Sequence, residues 1–188
     1  MKETIFARGY QNLVVYQLAT TIYDLTVIFC ERYIDKKSRT HDQMTQAGRS
    51  GKQNIAEGSL EKSLKSYIKL VGVSRGSFGE LLEDFKDFLR QKGLKLWEKD
   101  DPKVIHVRSI RESPNLPNWA NLPNSPYGKY LNNRGDFANL MVVLLYKENY
   151  LLDQLTRSLE QKFINEGGYT ENLFKKRLAN LSGKRFIY

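Results

Sequence analysis

With 188 residues, 40% of them hydrophobic and 27% charged, the chain is long enough for one domain with a real core and has the balance of an ordinary soluble protein. No apolar run approaches the ~20 residues that cross a bilayer, and "MKETIFARGYQ" lacks the apolar stretch of a signal peptide. The single cysteine, Cys30, excludes an internal disulfide, so a cytoplasmic location is expected. The net charge of +9 is unevenly spread: nine Lys/Arg stand against three acids between Lys36 and Arg75, and five against Glu171 alone between Gly168 and Tyr188. Such clusters attract polyanions with an affinity that falls with salt.

The first predicted helix runs from about Tyr10 to Ile34, where Leu13, Val14, Leu18, Ile22, Leu25, Ile28 and Phe29 recur at helical spacing. A second, about Thr40 to Glu57, has a sparse stripe of small residues, Met44, Ala47, Gly48, Gly51 and Ile55. This stripe suits close backbone approach, because each glycine costs about 1 kcal/mol against alanine in an isolated helix. Gly58 is expected to end it in a left-handed conformation, and Ser59 or Ser63 to cap the next helix. Glu57 opposes the helix dipole there, which predicts a cationic or donor partner. Asn54, one turn earlier, is placed to bond across a hairpin. The third helix, about Ser63 to Lys92, buries Leu64, Tyr67, Ile68, Val71, Phe78, Leu81, Leu82, Phe85, Phe88 and Leu89. Its small residues Gly72, Ser74, Gly76, Ser77 and Gly79 predict a close crossing or a kink.

All five prolines then fall between Pro102 and Pro126. Asp101-Pro102 is a helix-start signal for a short helix reaching about Arg111, within an otherwise irregular connection of about residues 98–133. Trp97 and Trp119 predict that this connection docks on the helices. A fourth long helix, about Asp136 to Asn165, carries Phe137, Leu140, Met141, Leu144, Leu145, Leu152, Leu155, Leu159 and Phe163, and Gly167-Gly168 ends it. The basic tail, 168–188, is read as a short helix with Leu173, Phe174, Leu178 and Leu181 at helical spacing. The expected fold is all-α: residues 1–167 form an antiparallel up-and-down four-helix bundle, followed by the tail.

Catalytic constellations are missing. His41 and His106 belong to no metal-ligand spacing, so neither metal nor cofactor is expected. Arg39 is too close to His41, and Arg32 too far, for the Arg/His spacing of helical ribonucleases. Cys30 lies on an apolar helix and reads as a buried structural thiol. "GVSRGSFG" lacks the Gly-Lys-Ser/Thr ending and the preceding strand of a phosphate loop. No Glu-x-x-His pairs exist for a di-iron site. The basic residues Arg39, Arg49, Lys52, Lys62 and Lys65, with Lys175, Lys176 and Arg177 of the tail, are the candidate phosphate contacts. Asn54, Glu57 and Gly58 are expected to hold the hairpin instead of acting on a substrate.

"QAGRSGKQNIAEGS" and "GVSRGSFGELLEDF" resemble the signature hairpin of the 23S rRNA intervening-sequence four-helix bundle proteins, through Gln46, Ala47, Ser50, Asn54, Ile55, Ala56, Glu57, Gly58, Ser77, Glu80 and Leu81. "LWEKDDPKVIHVRSIR" and the stretch from Asn149 to Asn180 resemble the bacterial variant with a C-terminal suffix. Gly48 and Gly51 depart from the larger residues of some relatives. The resemblance implies a bundle, a homo-oligomer with a pentamer favoured, and no catalytic residues. An accessory protein of similar fold binds nucleic acid and a reverse transcriptase, so the resemblance admits RNA or DNA, and a reverse transcriptase or another protein, as partners. The functional expectation is a non-enzymatic accessory nucleic-acid-binding protein. The alternative is an oligomeric protein-interaction scaffold.

Overall fold

A computed structural model describes residues 9–111 and 125–183. Among the described residues the chain is all-helical, with no strand. The long helices are α1 (Val14–Tyr33), α2 (Arg39–Leu60), α3 (Leu64–Gln91) and α5 (Arg134–Glu166); α4 (Pro102–Ser109) and α6 (Tyr169–Gly183) are shorter. The helix starts follow from local chemistry. Ser38 Oγ accepts the His41 N–H at 3.2 Å at the start of α2. Asn133 Oδ1 accepts the Asp136 N–H at 2.8 Å at the start of α5. Asp101 Oδ1 accepts the Lys103 N–H at 2.8 Å, with Pro102 in the first turn of α4. Gly93 (φ +63°) and Gly167 (φ +76°) end α3 and α5 in the left-handed region that glycine favours.

The four long helices close a ring in which α2 lies between α1 and α3, and α5 between α3 and α1. Contacts fix the directions. Ser50 meets Ser77, while Gly58 meets Tyr67, so α2 and α3 are antiparallel. Tyr23 meets Lys52 and Cys30 lies beside Thr45, so α1 and α2 are too. Arg75 meets Asp153 and Lys86 meets Tyr146, which sets α5 against α3.

The core centres on Phe29. Its ring makes edge contacts with Phe85 and Phe88 at 4.9 Å and with Phe137 at 5.3 Å. The predicted stripe of α3 is buried through Val71, Phe78, Leu81, Leu82, Phe85, Phe88 and Leu89. Every residue from Phe137 to Leu145 is buried, because the connection covers the side of α5 that the bundle leaves open. Asn139 pins that cover. Its amide donates to the Lys95 and Gly135 carbonyls and its oxygen accepts the Trp97 N–H, all within 2.8–3.0 Å. Trp97 packs on Tyr130, with ring centroids 5.5 Å apart, under the ammonium of Lys103. Lys103 bonds Asp136 at 2.9 Å, and Arg32 donates to the Leu131 carbonyl. The docking expected of Trp97 is therefore present, while Trp119 and residues 184–188 of the tail lie outside the described residues.

Several local readings change. α2 continues to Leu60, and Gly58 is a buried helical residue without positive φ. Glycine is required there by approach: a Cβ would stand 2.7 Å from Tyr67 Cδ2 and 3.3 Å from Leu70 Cβ. Ser63 precedes α3 without a side-chain capping bond, and Ser59 Oγ donates back to the Ala56 carbonyl. α3 passes through its small residues as one helix. Gly72 and Gly76 lie on its outer face with nothing within 4 Å, so they make no crossing among the described residues.

Candidate nucleic-acid interface

The α2–α3 seam holds the opening of the site. A Cβ on Gly51 would lie 2.5–2.6 Å from three atoms of the Phe78 ring, so only glycine admits the phenyl group here. Ser74 Oγ donates to the Gly51 carbonyl at 2.8 Å, and the Ser50 and Ser77 hydroxyls bond at 3.1 Å. Asn54 Nδ2 donates to the Ser50 carbonyl at 2.8 Å and reaches its hydroxyl at 3.2 Å. Asn54 thus bonds its own helix and is linked to the hairpin partner only through Ser50, whose hydroxyl bonds Ser77. Glu57 is exposed and has no ion pair among the described residues. The partner expected for it is absent among the described residues.

Beside this seam lies an open cleft of about 710 Å³ between α2 and α3. Gln46, Ala47, Ser50, Ser77 and Glu80, five of the residues that carry the family resemblance, line it. So do Arg39, Asp42 and Asp84. Burial, with Asp87 and Glu80 nearby, holds the Asp84 carboxyl above its ordinary range. Arg39 therefore faces three carboxylates, a poor arrangement for a polyanion. Arg49 points to solvent from the outer face of α2, while Lys52 turns toward α1, its ammonium 4.7 Å from the centre of the Tyr23 ring. The structure does not gather Arg39, Arg49 and Lys52 into one basic surface.

At the far end of the bundle it does gather cations. A groove of about 440 Å³ opens between the α2–α3 turn, the end of α5 and the first turns of α6. Lys62, Lys162 and Lys176 line it with Tyr67 and Tyr169, and Glu61 and Glu166 share the wall. Glu166 is matched by Lys162 at 3.9 Å. Lys65 stands three residues after Lys62, in the first turn of α3, and is exposed. Lys175 and Arg177 flank Lys176 on α6 and are also exposed. The two basic blocks, more than a hundred positions apart, thus meet at one end of the molecule. Lys162 escapes the sequence reading because at i,i+4 from Glu166 it looks like one solvated helix pair.

The remaining chemistry is structural. Cys30 is fully buried, and burial pushes its thiol up to about 11. His106 Nδ1 and the Tyr130 hydroxyl share a 2.9 Å hydrogen bond within the docked connection. His41 lies 3.6 Å from Asp42. Among the described residues no three His, Cys, Asp or Glu side chains form a metal-binding group, and no helix is long and apolar enough to cross a membrane. No protein-family model matches the chain, and neither a curated protein nor a solved structure does.

Proposed function

We propose that the chain is a non-enzymatic accessory nucleic-acid-binding protein of the 23S rRNA intervening-sequence bundle type, and that it takes a single strand of RNA or DNA at the α2–α3 turn. The observation that carries this reading is the convergence of Lys62, Lys162 and Lys176 on one groove with Tyr67 and Tyr169 in its wall. Lysines neutralise phosphates, and the exposed ring of Tyr169 offers a face for a base. Lys65, Lys175 and Arg177 extend the positive field around the mouth. The acid-lined cleft containing Arg39 stands apart from this contact.

Fluorescence anisotropy with single-stranded RNA, single-stranded DNA and duplex, at low and high salt, tests it. Three phosphate contacts give a log–log salt slope of about −2 for a single strand. Reversing Lys62 and Lys176 to glutamate flattens that slope and weakens binding, whereas reversing Arg49 and Lys52 leaves it nearly unchanged. Absence of binding at low salt, or equal effects of the two double reversals, defeats the reading.

A further inference from the structure

The groove at the α2–α3 turn carries a residue that its lysines do not explain. Glu61 stands in the wall next to Lys62. Its backbone N–H closes the end of α2 on the Gly58 carbonyl at 3.1 Å. The fold makes no use of its side chain, which is exposed and pairs with no cation among the described residues. Glu166 in the same wall differs, because Lys162 matches it at 3.9 Å. A free carboxylate repels phosphate, so Glu61 weakens a purely electrostatic grip on a strand.

Two neighbours in the wall share its hydrogen-bonding sense. Asn172 Nδ2 donates to the Glu166 carbonyl at 3.1 Å. A carbonyl only accepts, so this bond fixes the amide's orientation and leaves Oδ1 as an acceptor. Ser59 Oγ commits its hydrogen to the Ala56 carbonyl at 2.7 Å, which leaves only its lone pairs. Glu61, Asn172 and Ser59 thus offer acceptors to whatever enters the groove. Its donors are the lysine ammoniums and the tyrosine hydroxyls. Phosphate oxygens only accept, so these three acceptors do not serve the phosphates of a strand. They suit a group rich in N–H donors, and in an unpaired nucleotide that group is the base edge.

We propose that this wall reads an unpaired guanine, with Glu61 as the specificity-determining residue. The inference rests on the single-strand reading given above. Guanine presents its N1–H and an N2–H side by side, matching the two oxygens of one carboxylate. Adenine and cytosine present one amino group beside an acceptor ring nitrogen. Uracil and thymine present one N–H between two carbonyls. In each of these an acceptor meets the Glu61 carboxylate, and the second bond is lost. The ring of the base lies on Tyr169, which is 43% exposed, and its phosphate lies toward the lysines. In a duplex the same guanine edge is engaged by cytosine, so the preference belongs to single strands.

Fluorescence anisotropy at low salt tests this, with oligouridine and oligothymidine strands that each hold one central guanine, adenine, cytosine or inosine. A bidentate match discriminates by about tenfold or more, so guanine strands should bind at least about tenfold tighter than the unsubstituted ones. Inosine, which lacks the N2 amino group, should lose most of that gain, whereas 7-deazaguanine, altered on the other edge, should keep it. The order should be the same in DNA as in RNA. Glu61→Gln should level the bases while the salt slope stays at about −2, because no lysine is lost; circular dichroism checks its helicity. Several results overturn the inference and leave the lysine contacts standing: equal affinity for guanine and uracil strands, a gain that inosine retains, a preference confined to RNA, or one that survives in folded Glu61→Gln. A wild-type chain that binds none of the strands at low salt defeats both readings.

Discussion

Alanine at Gly51 and alanine at Gly48 should have opposite effects, although the two glycines lie one turn apart on the same helix. Each substitution gains about 0.5–1 kcal/mol of helix propensity and lost unfolded-state freedom. At Gly48 the new methyl meets Tyr23 at 3.5 Å and Leu81 at 3.7 Å, ordinary contact distances, so the gain survives. At Gly51 it would stand 2.5–2.6 Å from the Phe78 ring. Carbon atoms rest about 3.5–4.0 Å apart, so the ring or the helix must move by about 1 Å. Phe78 is fully buried and has no space to yield. Overpacking of this kind costs about 1–3 kcal/mol. Parting the helices also stretches the 2.8 Å bond from Ser74 Oγ to the Gly51 carbonyl, worth a further ~0.5–1.5 kcal/mol. The net for Gly51→Ala is a loss of about 1–3 kcal/mol, or roughly 2–10 °C in Tm for a chain of this size. Gly48→Ala should gain about 1–3 °C. Thermal melts of the two variants followed by circular dichroism read the difference. A Gly51→Ala protein as stable as the wild type, or equal losses from both variants, would refute the close-seam argument.

Asn139→Leu should cost about 2–4 kcal/mol, because it strands the Trp97 N–H and the Lys95 carbonyl in a part-buried site; urea melts and a red shift of tryptophan emission check it. The Cys30 thiol titrates near 11 in the folded chain, above its unfolded value of about 8.5. The associated stability is fully present below the unfolded value and is lost as pH rises through the folded one. Its size is about 3 kcal/mol, and Cys30→Ala should flatten the alkaline limb of stability measured by urea between pH 8 and 11. Asp84 is held above its ordinary range by burial, Asp87 and Glu80, so Asp84→Asn should stabilise the fold at pH 7. That gain should vanish in melts taken below the carboxylate range, and an unchanged gain there would argue against the charge-based cause.

The long helices were legible because their apolar residues repeat at the helical period over many turns. Leu81, Leu82, Phe85, Phe88 and Leu89 in α3 read correctly without any knowledge of what they touch. Asp101-Pro102 announced α4 for an equally local reason. Gly58 was misread because a glycine near a helix end looks the same whether it turns the chain or admits a neighbouring ring. Only Tyr67, nine residues on and across the seam, distinguishes the two. Asn139 carried no signal at all: a lone polar residue in an apolar run gains its meaning from Lys95 and Trp97, more than forty positions away. The basic blocks were visible as composition, but their division was not. Packing sets Arg39 beside Asp42, Glu80 and Asp84 and brings Lys62 to Lys176, and neither neighbourhood is encoded in the adjacent residues.

The single rod of α5 spans two thermodynamic regimes. Its amides from Phe137 to Leu145 are enclosed on every side, so they can exchange hydrogen with solvent only when the whole domain opens. Beyond Leu159 the same rod projects exposed side chains and leads into α6, and its amides are released by fraying of the end alone. Hydrogen exchange should therefore slow by orders of magnitude on moving from the C-terminal turns toward Phe137 within one uninterrupted helix. A pulse of protease should likewise trim the chain back toward Leu159 before it nicks anything within the ring of helices.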